Sequence, residues 1–176
     1  ENLDFLTEYN EERIAQWKES AFDLDAPYTG EAPIQTYKEE SQNFVKLNVM
    51  PERFVEETLF IKEYRIWDGY AEGIFDRKYQ SQMEKSPDHM IFVSALVHLQ
   101  KMMYVYVVHN LGLGYDAHGP ELVKFWPTEF RFNLTGLVRQ KTDLVQKILV
   151  DEIVQKPSMG GFEISGHSKV GKGIEL

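Results

Sequence analysis

Apolar residues recur along the chain with two different periods, and the change between them divides it. Leu6, Tyr9, Ile14, Trp17 and Ala21 fall roughly on one stripe and predict an amphipathic helix over residues 3–22. A loop over 23–33 follows, punctuated by Pro27, Gly30 and Pro33. From about residue 42 the period becomes two. Val45, Leu47 and Val49 alternate with Lys46 and Asn48, the pattern of a half-buried strand. Phe54 to Trp67, rich in β-branched and aromatic residues, predicts a second strand, and Asp68-Gly69 a tight turn. Tyr70 to Tyr79 then alternates again, with Ala71, Gly73 and Phe75 on one side and Glu72 and Asp76 on the other. The two segments predict an antiparallel hairpin.

Ser86-Pro87-Asp88 reads as a helix start, with Ser86 or Asp88 as cap and Pro87 in the first turn. From His89 to Leu111 apolar residues occupy every side of the predicted helix, among them Met90, Phe92, Ala95, Leu96, Leu99, Met102, Val105 and Val108. Such a helix is buried or spans a membrane. Its length of roughly 35 Å would reach across a bilayer, but His98, Gln100 and Lys101 sit at its middle, where a lone helix in lipid is heavily penalised. Burial in a protein core is the expectation.

Gly112, Gly114 and Gly119-Pro120 end the helix in a loop. Three further strands are predicted: Val123 to Leu134, interrupted by Trp126-Pro127; Leu144 to Val154; and Phe162 to Val170, after a turn over 157–161. About three strands, one enclosed helix and about three strands describe an α+β domain. A single strongly curved antiparallel sheet, wrapped round the helix, would give the cover it needs. The expected organisation is one such domain over residues 41–176, with a helical extension over 1–40 packed on it. A lipocalin-like barrel with an added helix, or a different α+β sandwich, fits the same order.

Composition narrows the chemistry. Of 176 residues, 19 are Lys or Arg and 28 are Asp or Glu, for a formal charge of -9. That surface repels phosphate backbones and anionic membranes, so neither nucleic acid nor a membrane is an expected partner. No cysteine is present, which excludes disulfides, thiolate catalysis and cysteine-ligated metals. A cytoplasmic location is the expectation, and the acidic opening of the chain is unlike a signal peptide.

The strand Ala71-Glu72-Gly73-Ile74-Phe75, the thirteen residues between Phe75 and His89, and the apolar helix that follows resemble the hotdog superfamily of acyl-thioester enzymes. The nearest likeness is to long-chain fatty acyl-CoA thioesterases of actinobacterial type, which have a similar Phe-Arg strand, here Phe130-Arg131. The resemblance covers roughly residues 50–155. It implies a hotdog fold, at least a homodimer, no cofactor or metal, and hydrolysis of a fatty or polyketide-like acyl thioester carried on CoA or an acyl-carrier protein. An active-site amide and a tyrosine four residues later on that family's helix correspond here to Gln100 and Tyr104. A second family amide position carries Ile91, and Tyr79 stands near the place of a family tyrosine. The related dehydratases pair a histidine with an acid about fourteen residues on, which here is Met103; the helix holds no carboxylate.

His89 is the expected catalytic histidine, with Gln100 and Tyr104 orienting thioester or water and Asp88, Met90 and Tyr79 contacting substrate. The free N–H groups of a helix start suit polarisation of a thioester carbonyl. Two alternatives stay open: a 3-hydroxyacyl-thioester dehydratase or isomerase taking an acid such as Glu72, and a non-catalytic acyl-binding or scaffold protein. Ser94 and His98, four apart, share a helix face but lack an evident orienting acid. The five histidines show no metal-ligand spacing, and Gly112-Leu113-Gly114 lacks the strand-then-helix setting of a dinucleotide fingerprint.

Overall fold

The computed structural model describes residues 11–39, 44–50, 55–82 and 88–176. The expected positions Leu6, Tyr9, Phe54, Ser86 and Pro87 lie outside them. The fold is α+β: one antiparallel sheet with a long helix packed against it. In chain order the elements are α1, Glu11–Trp17, running into a wide turn over Lys18–Phe22; β1, Gln35–Lys38; β2, Phe44–Met50; β3, Val55–Trp67; β4, Tyr70–Ser81; α2, Phe92–Asn110; β5, Asn133–Leu134; β6, Leu144–Lys156; β7, Gly161–Val170; and β8, Ile174–Glu175. Among the described residues eight strands lie in the order β1-β3-β4-β6-β7-β8-β5, with β2 beside β3 on the same edge as β1. β4 and β6 are therefore neighbours, and α2 is the connection that packs on the sheet between them.

Strand parity decides what α2 meets. On β4 the positions Ala71, Gly73, Phe75, Arg77 and Tyr79 share one face, and Tyr70 and Glu72 share the other. Phe75 touches His98 of α2, whereas Tyr70 stacks on Trp17 of α1. On β3 the inward set begins as Val55, Glu57, Leu59 and Ile61. A bulge between Ile61 and Glu63 then inserts one residue, so that Tyr64 and Ile66 turn inward. Glu63 and Arg65 are left outside, joined at 2.6 Å. β6 repeats the device: Leu144, Gln146, Ile148 and Val150 face α2, the bulge between Val150 and Glu152 shifts the count, and Ile153 rejoins the core. The two bulges lie at different levels of the sheet: through β4 the one on β3 is level with Leu144 and Val145, several residues from the one on β6.

The N-terminal piece covers the outer face at the β3–β4 turn. Trp17 lies 4.7 Å from Tyr70 in a stacked pair and donates its indole N–H to the Asp68 carbonyl at 3.0 Å. Trp17, Ala21, Phe22, Trp67, Tyr70 and Leu149 form a second, smaller core there. β1 falls within the expected extension yet pairs with β3 over Gln35–Lys38, so the extension is built into the sheet and not merely set upon it.

Three expectations change. α2 begins at Phe92 and not at His89, because Ile91 is extended (φ −80°, ψ 128°) and the Met90 N–H is bonded to the Val138 carbonyl at 2.8 Å. Asp88 does not cap the helix. The helix is also not enclosed on every side: Ala95, His98, Met102, Val105 and Tyr106 are buried, while Leu96, Leu99 and Met103 are only half-buried and Gln100 is exposed. Finally, of the strand predicted over Val123 to Leu134 only β5 forms. Pro127 cannot donate to a ladder, and Trp126 stands 81% exposed.

Candidate active site

The approach to α2 gathers four charged side chains: Glu57 of β3 and Arg77 of β4, which strand parity places on the helix face, Asp88 just before the helix, and Lys141 just before β6. Glu57 is fully buried. Its Oε2 accepts the Ile91 N–H at 2.8 Å and the Ser94 hydroxyl at 2.5 Å. A strand carboxylate thus takes the place of the missing side-chain cap, at the positive end of the helix dipole. Arg77, whose side chain is also fully buried, faces Glu57 Oε1 across 3.5 Å and binds Asp88 with two guanidinium nitrogens. Asp88 reaches on to Lys141 at 2.6 Å. Burial raises the Glu57 pKa; the bonds from Ser94 and Ile91 and the nearby charges of Arg77 and His89 work the other way.

His89 stands beside this chain of charges, its ring 6.3 Å from that of Tyr79. It lines a cavity of about 310 Å³ with Met90, Ile91, Phe92, Leu134, Leu137 and Ile174, completed by Thr135 and Gly136. The wall is mainly apolar. The N–H groups of Phe92 and Val93 open the helix and have no intrahelical acceptor behind them. The arrangement can hold an apolar chain and set a carbonyl beside a histidine and a helix start.

Gln100 and Tyr104 are elsewhere. They line a second cavity of about 360 Å³ with Lys101, Tyr115 and Phe125, and the Tyr104 hydroxyl accepts the Leu122 N–H at 3.0 Å. At the helical rise they sit roughly 12 and 18 Å along α2 from Phe92. Within one chain the structure does not bring them to His89. Asp88, Met90 and Tyr79 do surround His89, but Met90 is buried and Asp88 is held by two cations.

The other candidates resolve differently. Ser94 donates to Glu57 and His98 bonds Gln146 at 2.8 Å, so they form no dyad. The Gln146 amide N–H groups go to the Ala95 carbonyl and the Ser168 hydroxyl, which leaves its oxygen to accept from His98 Nδ1. Burial lowers the His98 pKa to about 4, against the smaller opposing effect of the Gln146 bond. The ring is neutral at pH 7, and its Nε2 has no hydrogen-bond partner among the described residues. Glu72 lies on the outer face, accepting from the Tyr28 N–H at 2.8 Å and the Tyr70 hydroxyl at 2.7 Å, with Lys147 at 3.5 Å. It is not the acid beside His89; Glu57 is the carboxyl on that side of the sheet. Glu57 and Arg77 were legible as anomalies, since each is a charge at a parity otherwise held by Val55, Leu59 and Ile61 or by Ala71, Gly73 and Phe75.

Among the described residues no three His, Cys, Asp or Glu side chains gather as a metal site, and no helix is long and apolar enough to cross a membrane. Comparison of the chain with protein-family models, with curated proteins and with solved structures gave no match.

Proposed function

We propose that the chain hydrolyses an acyl thioester at the amino end of α2. The observation that carries this reading is that His89 and the first residue of α2 share one largely apolar cavity. Apolar walls take the acyl chain, the helix-opening N–H groups polarise the thioester carbonyl, and His89 takes a proton from the attacking water. The resemblance to hotdog thioesterases supports the same substrate class, and a cytoplasmic homodimer belongs to this reading. In it Gln100 and Tyr104 serve a different site from His89 of their own chain.

One observation favours a second reading, dehydration or isomerisation of a 3-hydroxyacyl thioester. Glu57 is a buried carboxyl with its proton affinity raised, electrostatically coupled to His89. It stands second because Glu57 Oε2 is committed to Ile91 and Ser94 and Glu57 is not on the cavity wall.

Thiol release from acyl-CoA thioesters of increasing chain length tests the reading, without background because the chain has no cysteine. Release that falls about a hundredfold or more in His89→Ala is expected. Intact thioester throughout would refute hydrolysis, and loss of one water from a 3-hydroxyacyl substrate would select the second reading.

A further inference from the structure

Two left-handed glycines, Gly112 (φ 66°) and Gly114 (φ 69°), end α2 and turn the chain back along it. The returning loop is tied to the helix at Tyr104. The Leu122 N–H meets the Tyr104 hydroxyl at 3.0 Å, and the Tyr115 ring sits edge-on to that of Tyr104 at 6.3 Å. Between helix and loop lies the second cavity, of about 360 Å³. A volume near the lower end of the range for ligand pockets suits one small molecule, and not an acyl chain together with its carrier.

The charged groups in its wall are of opposite sign and are kept apart. Gln100 and Lys101 come from α2, Asp116 and Glu121 from the loop. Lys101 is half-buried yet makes no hydrogen bond or ion pair among the described residues, and neither do Gln100 and Glu121. Asp116 accepts the His118 N–H on Oδ1 at 2.9 Å and pairs with no cation among the described residues. Burial lowers the Lys101 pKa, and the charge of Glu39 offsets only part of that effect. A carboxylate seated on the amine would favour the charged form again. Tyr104, Tyr115 and Phe125 make the wall between these groups aromatic.

Each simpler ligand is disfavoured by part of this wall. An anion alone would face two carboxylates, and a cation alone would face Lys101. An apolar chain would strip water from the polar groups without replacing it. A molecule with both charges and a ring satisfies the whole wall. Its carboxylate takes N–H bonds from Lys101 and Gln100, its ammonium donates to Asp116 and Glu121, and its ring lies among the aromatic side chains. We propose that this cavity binds a free aromatic amino acid. The site is separate from the cavity of His89, and the inference does not rest on the thioester reading.

Calorimetric binding of L-phenylalanine, 3-phenylpropionate and 2-phenylethylamine to the full chain tests this. The three share a ring, and the last two each lack one charge, so the comparison on the wild-type protein needs no variant to fold. Phenylalanine is expected to bind about tenfold or more tightly than either analogue. Lys101→Met is expected to bring phenylalanine down to the level of 2-phenylethylamine, and Asp116→Asn combined with Glu121→Gln to bring it down to that of 3-phenylpropionate. Absence of phenylalanine binding would overturn the proposal, as would undiminished binding by Lys101→Met. Binding of 3-phenylpropionate as tight as that of phenylalanine would mean a site for a simple anion, and of 2-phenylethylamine a site for a simple cation; either result would also overturn it.

Discussion

Glu57 offers the sharpest test of how the amino end of α2 is held. Glu57→Ala deletes the acceptor of two bonds, the Ile91 N–H at 2.8 Å and the Ser94 hydroxyl at 2.5 Å, in a site closed to water. Bonds to a charged acceptor are worth about 1.5–3 kcal/mol each, and the donors left behind lose a partner that water does not replace. A loss of about 3–5 kcal/mol is expected, or roughly 6–20 °C in Tm for a chain of this size. Glu57→Gln keeps one acceptor oxygen and should cost less than about 2 kcal/mol. The pH dependence separates cap from charge. Burial raises the folded pKa of Glu57 above its unfolded value, so the folded state holds the proton more tightly. The resulting penalty is absent below the unfolded pKa, grows as pH rises through the window between the two values, and is complete above the folded one. Urea melts from pH 4 to 8 should therefore show a shallower fall in stability with rising pH for Glu57→Gln than for wild type. An alanine variant within about 0.5 kcal/mol of wild type would refute the capping role. Identical pH slopes for wild type and Glu57→Gln would refute the buried-charge account.

Three other outcomes follow from the packing. Trp17→Ala should cost about 3–5 kcal/mol in chemical denaturation, because it removes the ring stacked on Tyr70 and the bond to Asp68; a loss below about 1 kcal/mol would mean that the N-terminal piece contributes little to the fold. Gly73→Ala places a Cβ 2.7 Å from His98 Cε1 and 3.0 Å from Met102 Sδ, and should destabilise by about 1–3 kcal/mol, whereas a neutral result would show that the helix sits farther from β4. His98, with its folded pKa lowered to about 4, contributes stability that is present above its unfolded value near 6.5 and lost as pH falls toward 4. Imidazole nitrogen shifts should show the Nδ1–H tautomer at pH 7, and a midpoint near 6.5 would contradict the burial.

Much of the fold is written in local pattern. The β-branched and aromatic stretch from Phe54 to Trp67 and the alternation from Tyr70 to Tyr79, with Asp68-Gly69 between them, read as a hairpin from local chemistry alone, and the apolar run after His89 reads as a helix packed in the core, although its Leu96, Leu99 and Met103 face is only half-buried. Parity also set Ala71, Gly73 and Phe75 apart from Glu72. The break of α2 at Ile91 was not legible, because the residue that ends the extended approach and caps the helix is Glu57, on a strand that sequence distance separates from it. The failure of the strand over Val123 to Leu134 is similar: its composition suits a strand, but a ladder needs a neighbour, and only Asn133 and Leu134 find one in β8.

The candidate site divides along the same line. His89 was visible in the sequence as the amino end of an apolar helical run, because hydrophobic period and turn residues are properties of neighbours in the chain. That Gln100 and Tyr104 open on a different cavity, that Glu72 belongs to the outer face, and that Glu57 and Arg77 converge behind His89 were decided by the tertiary structure. Periodicity reports which face a side chain takes within its own element. Which elements meet, and at what depth, depends on sheet order and on bulges that shift a strand's count by one, and those arise from packing between segments far apart in sequence.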